Sequence, residues 1–175
     1  MKILDLGCGD NKYKSNNDIV IGIDDIKLKN VDVVHDLNKF PYPFKKNEFD
    51  LIYTSHALEH LDNLDEVFHE LIRITKSRGK ILIRVPHFSC GVSYRDPTHK
   101  RLFSYFTFNY FTEECFYTKS KFKIIRRKLN FTRQAFTFLN YVFNPIVNLN
   151  PLLYERFFCW ILPCAEVIAE LEVIK

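Results

Sequence analysis

The chain has 175 residues, about the length of one domain, and 47% of them are hydrophobic while 26% are charged, which excludes wholesale disorder. The formal net charge of +4 is small, and the basic residues are dispersed except at 126–128, so composition gives no strong indication of a nucleic-acid partner. Five cysteines, an odd number without CxxC spacing, predict reduced thiols in the cytoplasm rather than a disulfide framework.

The start of the sequence carries one lysine and then an apolar run, without a signal segment. No stretch reaches the roughly 18 uninterrupted apolar residues that a membrane-spanning helix requires. We therefore expect a cytoplasmic protein without a transmembrane segment, folded as a single domain over residues 1–175.

Five short runs rich in β-branched residues predict the first strands. They lie at 3–6, 19–23, 31–34, 50–53 and 80–85, and they are mostly continuous rather than alternating, as in parallel strands buried on both faces. Only a short turn fits between the second and the third strand. Before the fifth, residues 64–75 place apolar side chains on one helical face, and Arg78-Gly79 is expected to end that helix.

An aromatic run at residues 102–111 follows the fifth strand. These side chains could stack on a sugar or a base, but core packing is the favoured interpretation because the chain must bury its many phenylalanines. After this run, Thr112 is expected to cap a helix, since Glu113 and Glu114 in a first turn would interact favourably with the helix dipole.

Two further strands are predicted at 122–131 and 167–174. Between them lies an aromatic-rich insert at about 132–163, which Pro145 and Pro151 interrupt. We expect this insert to hold short helices, because proline ends or kinks longer ones.

The first strand leads directly into the turn Gly7-Cys8-Gly9, where glycines let the backbone approach a ligand closely. A single GxG is a weak signal, and Lys12 stands where a dinucleotide-binding fingerprint would place its third glycine. Asp24 and Asp36 end the second and third strands, where one carboxylate can accept hydrogen bonds from a ribose and the other can reach an adenine amino group. The layout predicts a nucleoside cofactor at the carboxyl edge of an α/β sheet.

Four segments of the sequence resemble the class I S-adenosylmethionine-dependent methyltransferases of the small-molecule type, similar to methyltransferase domain 11. They are LDLGCGD at 4–10, IGIDD at 21–25, VVHDLNKFPYPFKKNEFDLIYTSHALEHL at 33–61 and GKILIRVPHF at 79–88. The resemblance implies an α/β fold, a Rossmann-like three-layer sandwich with a mostly parallel seven-stranded sheet and an antiparallel last strand.

The same resemblance implies which residues hold S-adenosylmethionine. The loop containing Asp5, Gly7 and Gly9 would hold the methionine part of the cofactor. Asp24 would hold the ribose, and the neighbouring Asp25 is an alternative because the acid is doubled in this sequence.

The resemblance places four more residues around the remainder of the cofactor. Asp36 and Leu37 would lie at the adenine. Ser55 and His56, just after the fourth strand, would line the floor beside the sulfonium.

Members of this class usually have a helix before the first strand that helps to cover the cofactor, whereas this sequence starts at that strand. We therefore expect another segment to cover the site, and the insert at about 132–163 is the candidate. The insert could instead form the contact of a homodimer or lie on a membrane surface. Its polar face has few basic residues, which disfavours the membrane.

Four of the six histidines, His56, His60, His87 and His99, follow the fourth or the fifth strand, where the ligand edge of the sheet must be. His56 and His60 are four residues apart and could share a helical face as metal ligands. The segment that contains them reads equally well as the start of a helix, so we expect no metal. His60 is then either a catalytic group or a histidine hydrogen-bonded near the cofactor loop.

A hydroxyl acceptor needs a base, and histidine is the natural one at neutral pH. His99 is the first candidate, because it lies in the polar loop at 93–101 that precedes the aromatic run. Asp96 could orient its imidazole. The alternative is that these residues only brace the loop.

The sequence therefore predicts a methyltransferase that uses S-adenosylmethionine and acts on a hydroxyl of a small molecule or glycan precursor. One alternative is a methyltransferase acting on RNA or protein. The other is a non-catalytic subunit with the same fold that serves in binding or as a scaffold. Fold analogy does not identify the acceptor.

Overall fold

The computed structural model describes all residues 1–175 and contains seven strands. They are β1 (Lys2–Leu6), β2 (Ile19–Asp24), β3 (Val33–Val34), β4 (Phe49–Ser55), β5 (Thr75–Pro86), β6 (Phe122–Asn130) and β7 (Glu166–Val173). They form one sheet in the order β3-β2-β1-β4-β5-β7-β6, and only β7 is antiparallel to its neighbours. The predicted Rossmann-like architecture is confirmed.

One long helix, α1 (Leu64–Ile74), packs against a face of this sheet. Its first turn is capped by Asn63, whose side-chain oxygen accepts hydrogen bonds from the amides of Asp65 (3.1 Å) and Glu66 (3.4 Å). Burying the apolar face of the helix against the sheet creates the core, which includes Leu4, Leu6, Ile52, Val67, Phe68, Leu71, Ile81 and Ile83.

The prediction that Arg78-Gly79 ends α1 is wrong. The helix ends at Ile74, and the chain enters β5 at once. The β4–β5 register shifts from Phe49 opposite Thr75 to Leu51 opposite Lys80, so the extra residues form an irregularity inside the strand. Arg78, with φ of 59°, belongs to this bulge.

The predicted helix after Thr112 is also absent, and turns and bends occupy residues 113–121. The ammonium group of Lys121 contacts the carbonyl oxygens of Thr112, at 3.1 Å, and Cys115. These carbonyls are acceptors that a helix starting here would have needed for itself. The aromatic run does serve the core: Phe103, Phe108 and Phe111 are buried near Phe68.

The opposite face of the sheet is only partly covered, because the connections from β1 to β2 and from β2 to β3 are loops without helices. Tyr13 in the first loop packs its ring 4.5 Å from that of Tyr53 on β4. A groove of about 300 Å³ remains on this face, lined by polar and half-buried side chains that include Arg84, Arg126 and Lys128.

Three further α-helices are short: α2 (Val92–Arg95), α3 (Asn140–Leu149) and α4 (Pro151–Leu153), the last continuing into a π-helical turn at Tyr154–Phe158. Single 3-10 turns lie at Leu58–His60, Thr107–Phe111 and Thr137–Leu139. Helix α3 lies along the edge strand β6. The side-chain oxygens of Asn140, Asn144 and Asn148 accept hydrogen bonds from backbone amides of residues 132, 131 and 129, at 2.7–2.8 Å. The asparagines thus protect an open sheet edge.

This arrangement leaves the apolar side of the insert facing outward. Twelve large apolar side chains are exposed by 46% or more: Phe136, Phe138, Tyr141, Val142, Ile146, Leu149, Leu152, Leu153, Phe157, Phe158, Trp160 and Ile161. None of the helices combines the length and hydrophobicity that a membrane span requires.

Candidate functional site

The turn after β1 brings the backbone close to the end of β4. Gly7 has φ of 71°, and a Cβ placed on it would lie 2.3 Å from the Cβ of Ala57. Only glycine avoids this clash in this conformation. Gly9, two residues later, also has positive φ (50°), and no heavy atom lies within 4 Å of its would-be Cβ, so this side of the turn is open.

The two acids at the end of β2 are not equivalent. Asp24 already accepts a hydrogen bond from the Gly9 amide at 2.8 Å through Oδ2, which ties the ends of β1 and β2 together. The hydrogen bond with Asp24 and burial raise the pKa of Asp25, because a second negative charge beside the first is unfavourable. Both acids line the same cavity, so the geometry leaves the choice of ribose ligand between them open.

This cavity has a volume of about 610 Å³, within the usual range for small-molecule sites. It lies beyond the carboxyl ends of β1–β4 and includes five predicted cofactor residues: Gly7, Asp24, Asp36, Leu37 and His56. A hydrogen bond from the Asn38 amide, at 3.0 Å, and the nearby Lys39 lower the pKa of Asp36, so this carboxylate is held as an acceptor.

The other predicted cofactor residues line a smaller cavity on the far side of the Gly7 turn. It measures about 290 Å³ and contains Asp5, Gly9, Ser55 and Arg133. Burial raises the pKa of Asp5 to about 6, although the Tyr13 amide, 2.6 Å from its carboxylate, opposes the shift. The predicted set is therefore divided between two adjoining cavities that share Gly7.

The larger cavity, lined by Gly7, Asp24, Asp36 and His56, is called the cofactor cavity below. His56 connects it to a buried ion pair that the sequence did not indicate. Its Nε2 lies 3.4 Å from Glu166, which also accepts hydrogen bonds from Arg84 Nε at 3.0 Å and Asn130 Nδ2 at 2.9 Å. Burial opposes ionisation of Glu166, but the hydrogen bonds from His56 and Arg84 lower its pKa to about 2. Burial also opposes the charge on His56, yet Glu166 and Glu59 outweigh it and raise its pKa.

His60 and His99 come together, with ring centroids 4.7 Å apart. His60 Nδ1 lies 2.9 Å from the hydroxyl of Thr98, and His99 Nδ1 lies 3.3 Å from the Ser93 carbonyl oxygen. Asp96 Oδ2 lies 3.9 Å from His99 Nε2, next to the imidazole but beyond hydrogen-bond distance. Asp96 instead accepts from the Thr98 hydroxyl at 2.7 Å and so orients His60 through Thr98.

Within the pair, His60 lines the cofactor cavity together with Thr98 and Lys100. His99 lies behind it, with 5% of its side chain exposed. Next to both is Glu59, which is completely buried and which sequence reasoning missed. Its position between His56 and His60 is the available signal, which the interpretation of this segment as a helix start does not use.

His87, the fourth histidine at this edge, is not part of the cavity. It is fully buried and bonds to Ser89 Oγ at 2.7 Å and to Glu155 Oε1 at 3.1 Å. Glu155 also accepts from the Ser104 hydroxyl at 2.7 Å. These contacts fasten the insert to the end of β5, which explains a buried histidine without a catalytic role.

The insert lies beside the end of the sheet rather than over the cofactor cavity. None of its residues lines the large cavity, and only Arg133 reaches the smaller one. Its attachment through Glu155 places it next to β5 and β6. The geometry therefore does not support a role for the insert as a lid over the cofactor.

Sequence comparison agrees with this geometry in the first half of the chain. The sequence profile of a family described as a methyltransferase domain matches residues 4–83. These residues include the Gly7 turn, both strand-end acids and the His56–His60 segment. A search of curated proteins finds no match.

Solved structures share the fold over nearly the whole chain. An S-adenosylmethionine-dependent methyltransferase from Archaeoglobus fulgidus has a TM-score of 0.70 and 20% identity, over 98% of this chain and 85% of the other. One from Aquifex aeolicus has a TM-score of 0.62 and 15% identity, over 99% and 82%. The [4+2]-cyclase SpnF has a TM-score of 0.66 and 16% identity, over 99% and 74%.

The donors around the large cavity fit a nucleoside cofactor, because strand-end carboxylates offer acceptors for ribose and adenine groups and the glycine turn leaves an open approach. The resemblance inferred from the sequence is confirmed. This chain has the fold of the class I S-adenosylmethionine-dependent methyltransferases and matches the methyltransferase domain over residues 4–83, and S-adenosylmethionine is its expected cofactor.

Proposed function

We propose that this protein transfers the methyl group of S-adenosylmethionine to a hydroxyl of a small molecule or glycan precursor. The supporting observation is the histidine pair at the edge of the cofactor cavity. His60 lines that cavity, and Nε2 of neither His60 nor His99 is engaged in a hydrogen bond with the protein. An imidazole with Nδ1 bonded to an acceptor carries its proton there, so Nε2 is free to accept another.

S-adenosylmethionine, when bound, supplies a methyl group already activated by its sulfonium. Asp24 or Asp25 would hold the ribose, and Asp36 and Leu37, which line the same cavity, would contact the adenine. His60, supported by His99, accepts the proton that the acceptor hydroxyl loses. Alignment of the acceptor with the methyl group supplies most of the rest of the rate enhancement. Asp96 serves this pair indirectly, through Thr98.

A small acceptor fits the distribution of charge better than RNA does. Arg126 and Lys128 line the groove on the sheet face, not the cofactor cavity. Arg127 donates from Nη1 to the Tyr105 carbonyl oxygen at 3.0 Å and does not line the cofactor cavity. A methyltransferase for RNA or protein and a non-catalytic binding or scaffold subunit are the alternatives, and the same fold in a cyclase shows that architecture alone does not decide between them.

We also propose that residues 1–175 act as one domain in the cytoplasm, in keeping with five free cysteines, and associate as a homodimer through the insert. Twelve exposed apolar side chains in one segment are a typical interaction surface. Arg156 is the only exposed charged residue from Phe136 to Pro163, which suits a second copy of this chain better than an anionic membrane.

Titration calorimetry with S-adenosylmethionine tests the cofactor assignment. Wild-type protein should bind it at micromolar concentration, and Asp24→Asn should weaken binding roughly tenfold or more if this carboxylate holds both ribose hydroxyls. Asp25→Asn is the matched comparison, and a larger loss there would move the ribose to Asp25. No binding at millimolar cofactor would favour the scaffold alternative.

Turnover then tests the base. With a panel of hydroxylated acceptors, His60→Ala and His99→Ala should each reduce turnover roughly 100-fold while cofactor affinity stays within twofold. His69→Ala, an exposed histidine on α1, is the control and should have no effect. Unchanged turnover in both site variants would remove the proposed role of the pair.

A further inference from the structure

Glu59 is the most unusual polar group in the molecule. Its side chain is fully buried, and neither carboxylate oxygen has a hydrogen-bond partner. His56 Nδ1 comes to 3.4 Å from Oε1, but without hydrogen-bond geometry. A buried carboxylate without a hydrogen bond costs several kcal/mol in general, so native proteins seldom retain one unless it has a ligand.

The two neighbouring imidazoles are arranged as histidine ligands of metals usually are. Each uses Nδ1 for an oxygen acceptor: the Thr98 hydroxyl for His60 and the Ser93 carbonyl for His99. Such a bond fixes the ring orientation and the tautomer, and it leaves the Nε2 lone pair free for a cation. The Thr98 hydroxyl in turn donates to Asp96, so the support continues to a carboxylate.

The distances allow these three side chains to share one ion. The ligand atoms of Glu59, His60 and His99 all lie within 4.8 Å of one another. Atoms bound to one cation at about 2.0–2.2 Å can be no more than about 4.4 Å apart, so side-chain rotations of a few tenths of an ångström would suffice.

From this geometry we infer a divalent transition-metal site formed by Glu59, His60 and His99. Two imidazoles and one carboxylate form a ligand set that Zn²⁺ and related first-row ions accept, and they leave coordination positions open. The inference replaces the sequence-based expectation of no metal. That expectation rested on His56 and His60 as the two candidate ligands. The structure instead groups His60 with its neighbour Glu59 and with His99 from the loop after β5.

The site would face the cofactor cavity through His60, which lines it. A cation there can bind an oxygen of the acceptor and lower the pKa of its hydroxyl. With the ion bound, His60 is a ligand and not the base, so the ion takes over the activation of the hydroxyl in the proposed function. Binding of the ion itself requires neither methyl donor nor acceptor. Failure of the metal site and failure of the proposed function can therefore be distinguished.

Zn²⁺ alone, added to the full chain after removal of metals with a chelator, is the probe. Calorimetry should show one saturable ion per chain, and Zn²⁺ should raise the midpoint of thermal unfolding. Glu59→Gln keeps the shape of the side chain but loses the charge, and it should weaken binding at least tenfold and abolish the rise. His99→Ala should weaken binding at least tenfold as well.

His69→Ala controls for adventitious binding to an exposed histidine and should bind Zn²⁺ as the wild type does. The thermal midpoint of each variant in chelator verifies that it is folded, and Glu59→Gln should unfold no earlier than the wild type because it removes a buried charge that has no hydrogen bond. The inference is overturned if no stoichiometric binding occurs, or if Glu59→Gln binds Zn²⁺ with unchanged affinity.

Discussion

The first and second halves of this chain build their parts of the site in different ways. In residues 4–83 the functional groups stand at the ends of neighbouring strands, as when Asp24 on β2 accepts from the Gly9 amide after β1. In residues 84–175 they come from loops and from an antiparallel strand, as when Glu166 meets His56 across 110 residues of sequence. The methyltransferase profile matches only the first half. The predicted cofactor residues thus follow a local pattern, whereas the contacts of the second half depend on long-range packing.

The largest effect is expected from a substitution in the glycine turn of the first half of the chain. Gly7→Ala places a Cβ 2.3 Å from Ala57 in a left-handed conformation. We expect a loss of about 2–3 kcal/mol in the free energy of unfolding and at least a roughly 100-fold loss of S-adenosylmethionine affinity. Thermal unfolding and calorimetry measure these quantities.

Gly91→Ala is the matched control, since an added Cβ there has no heavy atom within 4 Å, and it should behave as the wild type. If Gly7→Ala bound the cofactor normally, the turn would not be what shapes the first half of the site.

A smaller effect on stability is expected from removing the charge of Glu166, which makes the long-range contacts of the second half. Glu166→Gln leaves Arg84 without its charged partner and should cost about 2–3 kcal/mol of unfolding free energy at pH 7, because the pair is buried on the Glu166 side. The folded-state pKa of Glu166, about 2, lies below its unfolded value, so its contribution is complete above about pH 4.5 and disappears as the pH falls towards 2. Urea unfolding at pH 7 and pH 3 checks both statements.

Glu170→Gln, on the same strand, is the control because its partner Lys80 is half exposed. It should change the free energy by less than about 1 kcal/mol. Equal changes in the free energy of unfolding would mean that the Glu166–Arg84 pair stabilises the fold no more than an exposed ion pair does.

The smallest effect on the cofactor site, and a clear one on assembly, is expected at the insert. Leu149→Asp, at a position 88% exposed on α3, should convert a homodimer to a monomer while cofactor affinity changes less than twofold. Light scattering after gel filtration gives the mass. Phe116→Asp, equally exposed but outside the insert, should leave the dimer intact. A wild-type protein that is monomeric at micromolar concentration would contradict the proposed interface.

The elements predicted from periodicity agree well with the structure, and the failures have local causes. The helix expected after Thr112 gave way to turns in which Lys121 takes the carbonyl groups. Arg78-Gly79 looked like a helix stop, but α1 ends earlier and those residues form an irregularity in β5. The spacing of apolar residues predicts neither the competition of a side chain for backbone carbonyl groups nor the register of a strand.

The residues of the candidate site likewise fall into those that local sequence patterns predict and those that they do not. Asp24 and Asp36 were predicted because strand ends of a parallel sheet meet at one edge, which is a consequence of topology. The link from Asp96 through Thr98 to His60 was not predicted, because the hydrogen bonds of Thr98 depend on loop conformation. Glu59 was missed because burial without a partner is not visible in a sequence.

By itself, the sequence determined the α/β class, the glycine turn, the strand-end acids and the resemblance to S-adenosylmethionine-dependent methyltransferases, because these depend on local patterns and on spacing between adjacent strands. Only the tertiary structure decided that Glu59, His60 and His99 face one another, that Glu166 contacts His56, and that the insert turns its apolar side outward. Those outcomes depend on which distant surfaces exclude water together, a property of the folded chain as a whole.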